Sequence, residues 1–128
     1  MASVCGGTMA LLDSGISLSD RISGVAMGLV TRAPDTRVLT DIIGMEDYLG
    51  DMDFKFSGSR TGVCAVQADV KVPGISMDII RESVERGMEA NNHILDIMDK
   101  CIAAPRSIKT CWPVSKLIQV LIQIYTNN

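Results

Sequence analysis

The chain has 128 residues, of which 47% are hydrophobic, and this is enough for one domain with a buried core. Its net charge of −3 and pI near 5.0 argue against a general basic coat for nucleic acid. Such a coat binds by neutralising many phosphates at once. Any polyanion that this protein handles must therefore be met locally.

The cysteines and the histidine give little support for a structural metal or a disulfide framework. Four cysteines and one histidine are present, without a C-x-x-C pair, at Cys5, Cys64, His93, Cys101 and Cys111. We therefore expect reduced, mainly buried thiols, as in an intracellular compartment or the mitochondrial matrix.

Neither end of the chain predicts a targeting or membrane segment. Residues 1–12 lack a basic region and are interrupted by Gly6 and Gly7, so no signal or transit peptide is expected. The run from Leu117 to Tyr125 is strongly apolar, but nine residues are too few to span a bilayer. No membrane partner is predicted.

The first predicted element is a short helix from Ala2 to Ser14, with Gly15 at the position of a left-handed C-terminal cap. Gly6 and Gly7 inside it indicate close packing, since each glycine in a helix interior costs roughly 1 kcal/mol. Two apolar runs follow at 24–31 and 37–43, separated by a proline turn, and they predict a β-hairpin.

From Asp51 the sequence alternates strictly between charged and apolar residues as far as Phe56, which is typical of a strand. Asp51, Asp53 and Lys55 are expected on one face of that strand. A second alternating run at 63–72 follows a turn, so the two strands are predicted to pair antiparallel.

The longest periodic segment predicts an amphipathic helix of about twenty-five residues. Ser76 supplies an N-cap, Asp78 a first-turn acid, and Pro105 a stop. Its methionines are interpreted as core residues, and His93 lies off the apolar stripe and is expected to be exposed. The predicted stripe comprises Ile80, Val84, Met88, Asn91, Leu95, Met98 and Ile102. The fold class predicted from these elements is α+β, a mostly antiparallel sheet with a long helix laid across it.

The segment GMEDYLGDMDFK, residues 44–55, contains four carboxylates and one lysine. The simplest interpretation is a solvated strand face, because exposed charges of mixed sign are ordinary. The alternative is a cation site. Asp51 and Asp53 would lie about 7 Å apart on one face, and a loop between Gly44 and Gly50 could bring Asp47 to them.

Converging carboxylates in a site of low dielectric tolerate each other only around a cation. Oxygen ligands suit magnesium or manganese, and Lys55 on the same face could neutralise a substrate phosphate. The chain has no dinucleotide or P-loop glycine motif and no partnered nucleophile. A metal-assisted reaction at phosphate is therefore the function that the residues themselves favour.

Several stretches together resemble, in order and without large gaps, the second ribonuclease PH-like core of polynucleotide phosphorylase. They are MASVCGG (1–7), LLDSGI (11–16), AMGLV (26–30), LTDIIGMEDYLGDMDFK (39–55), AVQAD (65–69), PGI (73–75), HILDIMDK (93–100) and APR (104–106). The resemblance implies a ribonuclease PH-like fold, which is part of a ribosomal-protein-S5-like sheet.

The resemblance also implies an activity. Members of the family degrade RNA from its 3′ end: inorganic phosphate attacks the terminal phosphodiester and releases a nucleoside 5′-diphosphate, and the reverse reaction extends RNA. The family forms homotrimeric rings. By motif, Asp47 and Asp53 correspond to the ligands of a catalytic Mg²⁺ or Mn²⁺, and Lys55 to a lysine that supports the metal and the phosphate charge. Asp51 has no primary ligand role in that pattern.

The resemblance further implies what this chain lacks. The family's phosphate-binding serines precede the stretch that matches residues 1–7, so we expect them to be absent. Residues 1–106 are predicted to form part of the second core, and 107–128 a linker or atypical tail where a KH module would begin. The chain alone is expected to be weakly active or inactive.

Two alternatives stay open, namely a non-catalytic ring or scaffold subunit and an interaction fragment of an RNA-degrading complex. A scaffold subunit should lack the full set of Asp47, Asp53 and Lys55, and all three are present. The sequence IIGMEDYLGDMDFK resembles mitochondrial members of the family more than bacterial ones, so a mitochondrial location is expected, or a cytoplasmic one if the protein is bacterial.

Overall fold

The computed structural model describes residues 1–32, 34–107 and 110–119, and it contains one antiparallel sheet of order β2-β1-β3-β4. Both predicted hairpins are confirmed, because β1 pairs with β2 and β3 with β4. The elements are α1 (Ala2–Asp13), β1 (Ser23–Arg32), β2 (Asp35–Thr40), α2 (Gly44–Leu49), β3 (Met52–Gly58), β4 (Val63–Val70) and α3 (Met77–Cys101).

The core lies between the sheet and α3. Alternate residues of the central strands β1 and β3 point toward this helix, because successive side chains of a strand leave on opposite faces. Ile80, Val84 and Ile94 of α3 pack against them. The buried cluster comprises Val25, Met27, Leu29, Val38, Met52, Phe54 and Phe56. The α+β arrangement of a sheet under a long helix is confirmed.

Helix α3 begins and ends where the sequence predicts, but its buried face is rotated. Ser76 caps it by accepting a hydrogen bond from the backbone N–H of Ile79 at 3.4 Å. Met88, placed in the predicted stripe, is 41% exposed. Small residues face the sheet instead: a Cβ on Gly87 would lie 3.4 Å from the Phe56 ring. The helix thus contacts Phe56 through Gly87 and not through Met88. His93 is exposed, as expected.

Helix α1 packs on the opposite face of the sheet, against β1. A Cβ on Gly24 would lie 2.7 Å from the Met1 side chain and 3.2 Å from Val4, so the close approach occurs at the strand glycine. The expectation of close packing at Gly6 and Gly7 is wrong, since a Cβ there would meet nothing within 4 Å. The helix still ends as predicted.

Strand β2 is shorter than the predicted run at 37–43. It ends at Thr40, because Asp41 adopts φ of +57°, which no strand residue can have. After this kink the backbone N–H of Ile42 donates to the carbonyl of Ala26 at 2.9 Å. The chain thereby leaves the sheet edge and passes into α2.

Strand β4 is an edge strand, and all eight of its residues are exposed. It ends at Val70, two residues before the predicted limit at residue 72.

Three of the four cysteines, Cys64, Cys101 and Cys111, are exposed, while Cys5 is half-buried. The four thiols form no disulfide, but the expectation that they are mainly buried is wrong, because Cys64 lies on the edge strand, Cys101 at the end of α3 and Cys111 in the segment after it.

An ion cluster ties the turn between β3 and β4 to the end of α3. Arg60 contacts Asp96 at 2.6 Å and Asp99 at 3.1 Å, and Arg21 also contacts Asp99. Burial raises the pKa of Asp99, but hydrogen bonds from Arg60 and Arg21 outweigh it, so the net pKa lies below the usual 3.8.

We expect Asp99→Asn to lower the free energy of unfolding at pH 7 by at most about 1 kcal/mol. A depressed carboxyl pKa contributes stability that is present above 3.8 and lost as pH falls through the folded pKa. Urea unfolding should therefore show a gap between variant and parent at pH 7 that shrinks near pH 3. Asp78→Asn, in an exposed pair with Arg81, is the control and should show little change.

The apolar run at 117–125 falls mostly outside the described residues. Leu117 and Ile118 are 95% and 72% exposed, and residues 120–125 are not described. Within the described part of the chain, none of the helices has the length and hydropathy needed to cross a bilayer. The division into 1–106 and 107–128 stays a prediction.

Candidate metal centre

The candidate site lies on the sheet face that carries α1, here called the α1 face. Strand alternation and register place nine residues on it, three from each of β1, β3 and β4. They are Gly24, Ala26 and Gly28 of β1, Asp53, Lys55 and Ser57 of β3, and Ala65, Gln67 and Asp69 of β4. The small residues of β1 allow other side chains to pack closely on this face: a Cβ on Gly24 would lie 2.7 Å from Met1, and one on Gly28 would lie 2.7 Å from Ile42.

Asp53 is the most buried charged residue of the described chain, with 3% of its surface exposed. It is covered because β3 has a strand on each side: Gly28 of β1 and Asp69 of β4 are its cross-strand partners. Its Oδ2 accepts a hydrogen bond from Lys55 Nζ. Its Oδ1 is buried and has no hydrogen-bond partner among the described residues. The interpretation of this stretch as a solvated strand face is therefore wrong for Asp53.

Lys55 leaves the same face one pleat further along and is about one-third exposed, at 36% of its side chain. The hydrogen bond to Asp53 raises the pKa of Lys55 above 10.5; burial opposes this, and the charges of Asp53, Asp47 and Asp69 add to it. The ammonium therefore stays charged, and it lies in the field of three carboxylates.

Asp47 lies in α2, a helix of six residues at the place where a loop is expected from the sequence between Gly44 and Gly50, and its charge acts on Lys55. The turn forms because the Glu46 carboxylate accepts a hydrogen bond from the backbone N–H of Ile43 at 2.9 Å, closing the helix start. Lys71 Nζ donates to the Asp47 carbonyl and lies 3.4 Å from its Oδ1. Asp47 is thus held from the end of β4.

Asp51 does not join the other carboxylates. It precedes β3, and its Oδ2 accepts hydrogen bonds from the backbone N–H and the hydroxyl of Thr31, at 2.5 and 2.6 Å. The hydroxyl bond is the main reason that the pKa of Asp51 is lowered. The Asp51 carboxylate is thus bound by β1, and Asp51 joins the start of β3 to that strand.

We expect Asp51→Ala to lower the thermal midpoint, because Thr31 loses its acceptor, and to leave Mn²⁺ affinity unchanged. Differential scanning calorimetry and Mn²⁺ titration of the same preparations would check both. A loss of Mn²⁺ affinity comparable with that of Asp53→Ala would contradict the assignment of Asp51 to the fold.

The donor set fits a hard divalent ion. Asp53 Oδ1 is an acceptor that has been removed from water without a donor, which is costly unless a positive group approaches it. Within the ranges that the structure describes, no group of three His, Cys, Asp or Glu side chains is placed to hold an ion. Magnesium is commonly bound by one or two carboxylates and keeps several waters, so the two carboxylates of Asp47 and Asp53 would be enough to bind it.

Sequence reasoning did not single out Asp69 or Lys71. Both stand on the polar side of the second predicted strand, and they matter only through register: Asp69 pairs with Asp53, and Lys71 meets Asp47. The turn between the two strands would have been the only available signal, since its length fixes which residues face each other.

Comparison with curated proteins gives close relatives, although no family model matches. The chain is 50% identical over 107 residues to a polyribonucleotide nucleotidyltransferase of Syntrophotalea carbinolica, covering 84% of this chain and 15% of that protein. It is 51% identical over 114 residues to polyribonucleotide nucleotidyltransferase 2, mitochondrial, of rice, covering 84% and 12%. It is 47% identical over 122 residues to a polyribonucleotide nucleotidyltransferase of Nostoc punctiforme, covering 95% of this chain and 17% of that protein.

Among solved structures, the fold is similar to that of rice Rrp46, with a TM-score of 0.67 and 17% identity over 78% of this chain and 46% of that one. This likeness concerns the fold alone, and it confirms the expected ribonuclease PH-like architecture. The curated relatives carry the family assignment, and the chain spans only 12–17% of the three described above. On this identity across most of its length, the chain belongs to the polyribonucleotide nucleotidyltransferase family.

Proposed function

We propose that this chain carries the metal-binding part of an enzyme that degrades RNA from the 3′ end by phosphorolysis. The observation that carries the proposal is the buried Asp53, whose Oδ1 lacks a donor among the described residues while Lys55 neutralises its Oδ2. In a chain of the polyribonucleotide nucleotidyltransferase family, a buried carboxylate beside a lysine could hold a metal ion next to the RNA phosphate. The relatives' name describes transfer of nucleotidyl groups in polyribonucleotides.

In the proposed reaction, inorganic phosphate attacks the phosphorus of the last phosphodiester bond. The bond from that phosphorus to the 3′ oxygen of the preceding nucleotide breaks, this oxygen takes up a proton, and a nucleoside 5′-diphosphate leaves. Asp47 and Asp53 would hold Mg²⁺ or Mn²⁺, which supplies a Lewis acid for the charge on the phosphate oxygens. Lys55, which donates a hydrogen bond to Asp53, would add a fixed positive charge beside the same oxygens.

The partners that we propose follow from the same reaction: the RNA 3′ end, inorganic phosphate and nucleoside diphosphates, within a homotrimer and without a membrane. Because the chain spans at most 17% of the three relatives described, full activity is proposed for the longer protein. The isolated 128-residue chain should be weakly active or inactive. Two plant relatives are named mitochondrial, and we propose the mitochondrion as the location.

A chimera tests the function directly. Residues 1–106 of this chain would replace the matching segment of the Syntrophotalea carbinolica relative, and release of nucleoside diphosphates from a 3′-ended RNA would be measured with and without phosphate. We expect phosphate-dependent diphosphate release by the chimera, and none after Asp53→Ala. Release of monophosphates independent of phosphate, or full activity of Asp53→Ala, would contradict the proposal.

The scaffold alternative predicts that a folded chimera is inactive although assembled. The interaction-fragment alternative predicts that the 128-residue chain enters trimers of a full-length relative, which native mass spectrometry of the mixture would detect. The presence of Asp47, Asp53 and Lys55 in one small region argues against a purely structural subunit.

A further inference from the structure

Asp69 is a carboxylate that the fold does not explain. It is the direct cross-strand partner of Asp53 on the α1 face, a position where the two Cβ atoms lie roughly 4.5–5.5 Å apart. Like charges directly opposite each other destabilise a strand pair. Among the described residues, the Asp69 side chain has no hydrogen-bond or ion-pair partner, and the Lys55 ammonium on the same face is bonded to Asp53 instead.

The unpartnered oxygen of Asp53 gives a second, independent indication. Only 3% of the Asp53 surface is exposed, and the hydrogen bond from Lys55 is to its Oδ2. Its Oδ1 has no donor within the described ranges. A buried carboxylate oxygen without a donor, on a residue whose cross-strand partner is a second carboxylate, points to a positive group near the pair.

The field of Asp69 also reaches the reacting groups. Its cross-strand partner Asp53 accepts a hydrogen bond from Lys55, and Gln67, the next residue of β4 on the same face, is the cross-strand partner of Lys55. Asp69 therefore lies close enough to act electrostatically on the same region as the two proposed ligands.

We propose that Asp69 is a positioning residue of the metal centre, which accepts a hydrogen bond from a water molecule of the divalent ion held by Asp47 and Asp53. This inference rests on the proposed function. Direct coordination by all three carboxylates does not match the structure, because the described residues contain no three-membered cluster for an ion. A hydrated ion removes that difficulty, since magnesium and manganese retain several waters that need acceptors.

The test measures Mn²⁺ affinity of the full 128-residue chain by paramagnetic relaxation of water protons. Asp69→Asn should bind about tenfold more weakly, which is typical for loss of an outer partner of a metal site. Asp35→Asn is the matched control: it makes the same charge change at an exposed residue on the outer strand β2 and should bind like the parent. Asp69→Glu should recover part of the affinity.

A second readout separates positioning from a structural role. Without metal, Asp69→Asn should be as stable as the parent or more stable, because a like-charge pair is removed, whereas a structural residue would lose stability when replaced. Urea unfolding in EDTA measures this. Weaker Mn²⁺ binding together with unimpaired metal-free stability is the expected combination.

The outcomes distinguish this inference from the function on which it rests. If Asp53→Asn abolishes binding while Asp69→Asn binds like Asp35→Asn, the role of Asp69 is overturned and the metal centre stands. If Asp53→Asn also binds like the parent, or if the parent binds no Mn²⁺ at millimolar concentration, both are overturned. A loss of metal-free stability in Asp69→Asn would assign the residue to the fold and overturn its positioning role.

Discussion

Adding Mn²⁺ at a hundredfold excess over its dissociation constant should raise the free energy of unfolding by about 2.7 kcal/mol, and Asp53→Asn should abolish this rise. We expect the ion to bind only the folded state, because the two proposed ligands, Asp47 and Asp53, come from different elements, α2 and β3. The buried Oδ1 of Asp53 gains the positive partner that it lacks among the described residues. Stabilisation by metal is thus linked to one carboxylate.

Urea unfolding followed by circular dichroism, with Mn²⁺ or with EDTA, measures this effect. Asp35→Asn, whose side chain is exposed on β2, should keep the full rise in stability. If Asp53→Asn is stabilised by Mn²⁺ as much as the parent, the ion binds elsewhere.

The second large effect is expected at Gly50, which closes α2. A Cβ there would lie 2.4 Å from the carbonyl oxygen of Glu46 and 3.2 Å from that of Leu29. Its φ of −75° suits any residue, so the problem with Gly50→Ala is steric contact with backbone alone. The last turn of α2 must shift and carry Asp47 with it. We expect stability to fall by about 1–3 kcal/mol, and Mn²⁺ affinity by about tenfold.

Gly44→Ala provides a matched control at the other end of the same helix. A Cβ at Gly44 meets nothing within 4 Å, and alanine is the better helix former. This variant should bind Mn²⁺ like the parent and unfold at the same or slightly higher urea concentration. Equal Mn²⁺ affinity in both glycine variants would show that the position of α2 does not govern the site.

Local patterns predicted the elements well because their causes are local. Alternation in DMDFKF gave β3, and the Ser76 cap with the later proline gave the limits of α3 within a few residues. Gly15 ends α1 with φ of +81°, as its position after the apolar run suggested. In each case, the deciding contact lies within one turn or one pleat of the residue concerned.

The errors arose where tertiary position decides. Alternation showed that Asp53 leaves one face, but only the placement of β3 between two strands explains why it is buried. The same alternation grouped Asp51 with Asp53, although Thr31 of the neighbouring strand takes its carboxylate. The helical periodicity predicts Met88 in the core, but it cannot show that Gly87 lets α3 approach Phe56 closely, and Met88 is exposed.

The site shows the same division between local and tertiary causes. The motif containing Asp47, Asp53 and Lys55 is short enough to recognise in the sequence, and Lys55 lies in the field of both carboxylates. Asp69 and Lys71 come from the strand beyond a turn, and they meet the motif only through the register of β3 and β4. Register is a pairing between distant segments, so no single stretch reveals it.

The central claim is that Asp47 and Asp53 share one divalent ion, and anomalous diffraction from crystals of this chain grown with Mn²⁺ tests it most directly. We expect one strong peak within about 2.2 Å of a carboxylate oxygen from each residue, with water filling the other positions. A peak bound to only one of them, or located away from the α1 face, would contradict it.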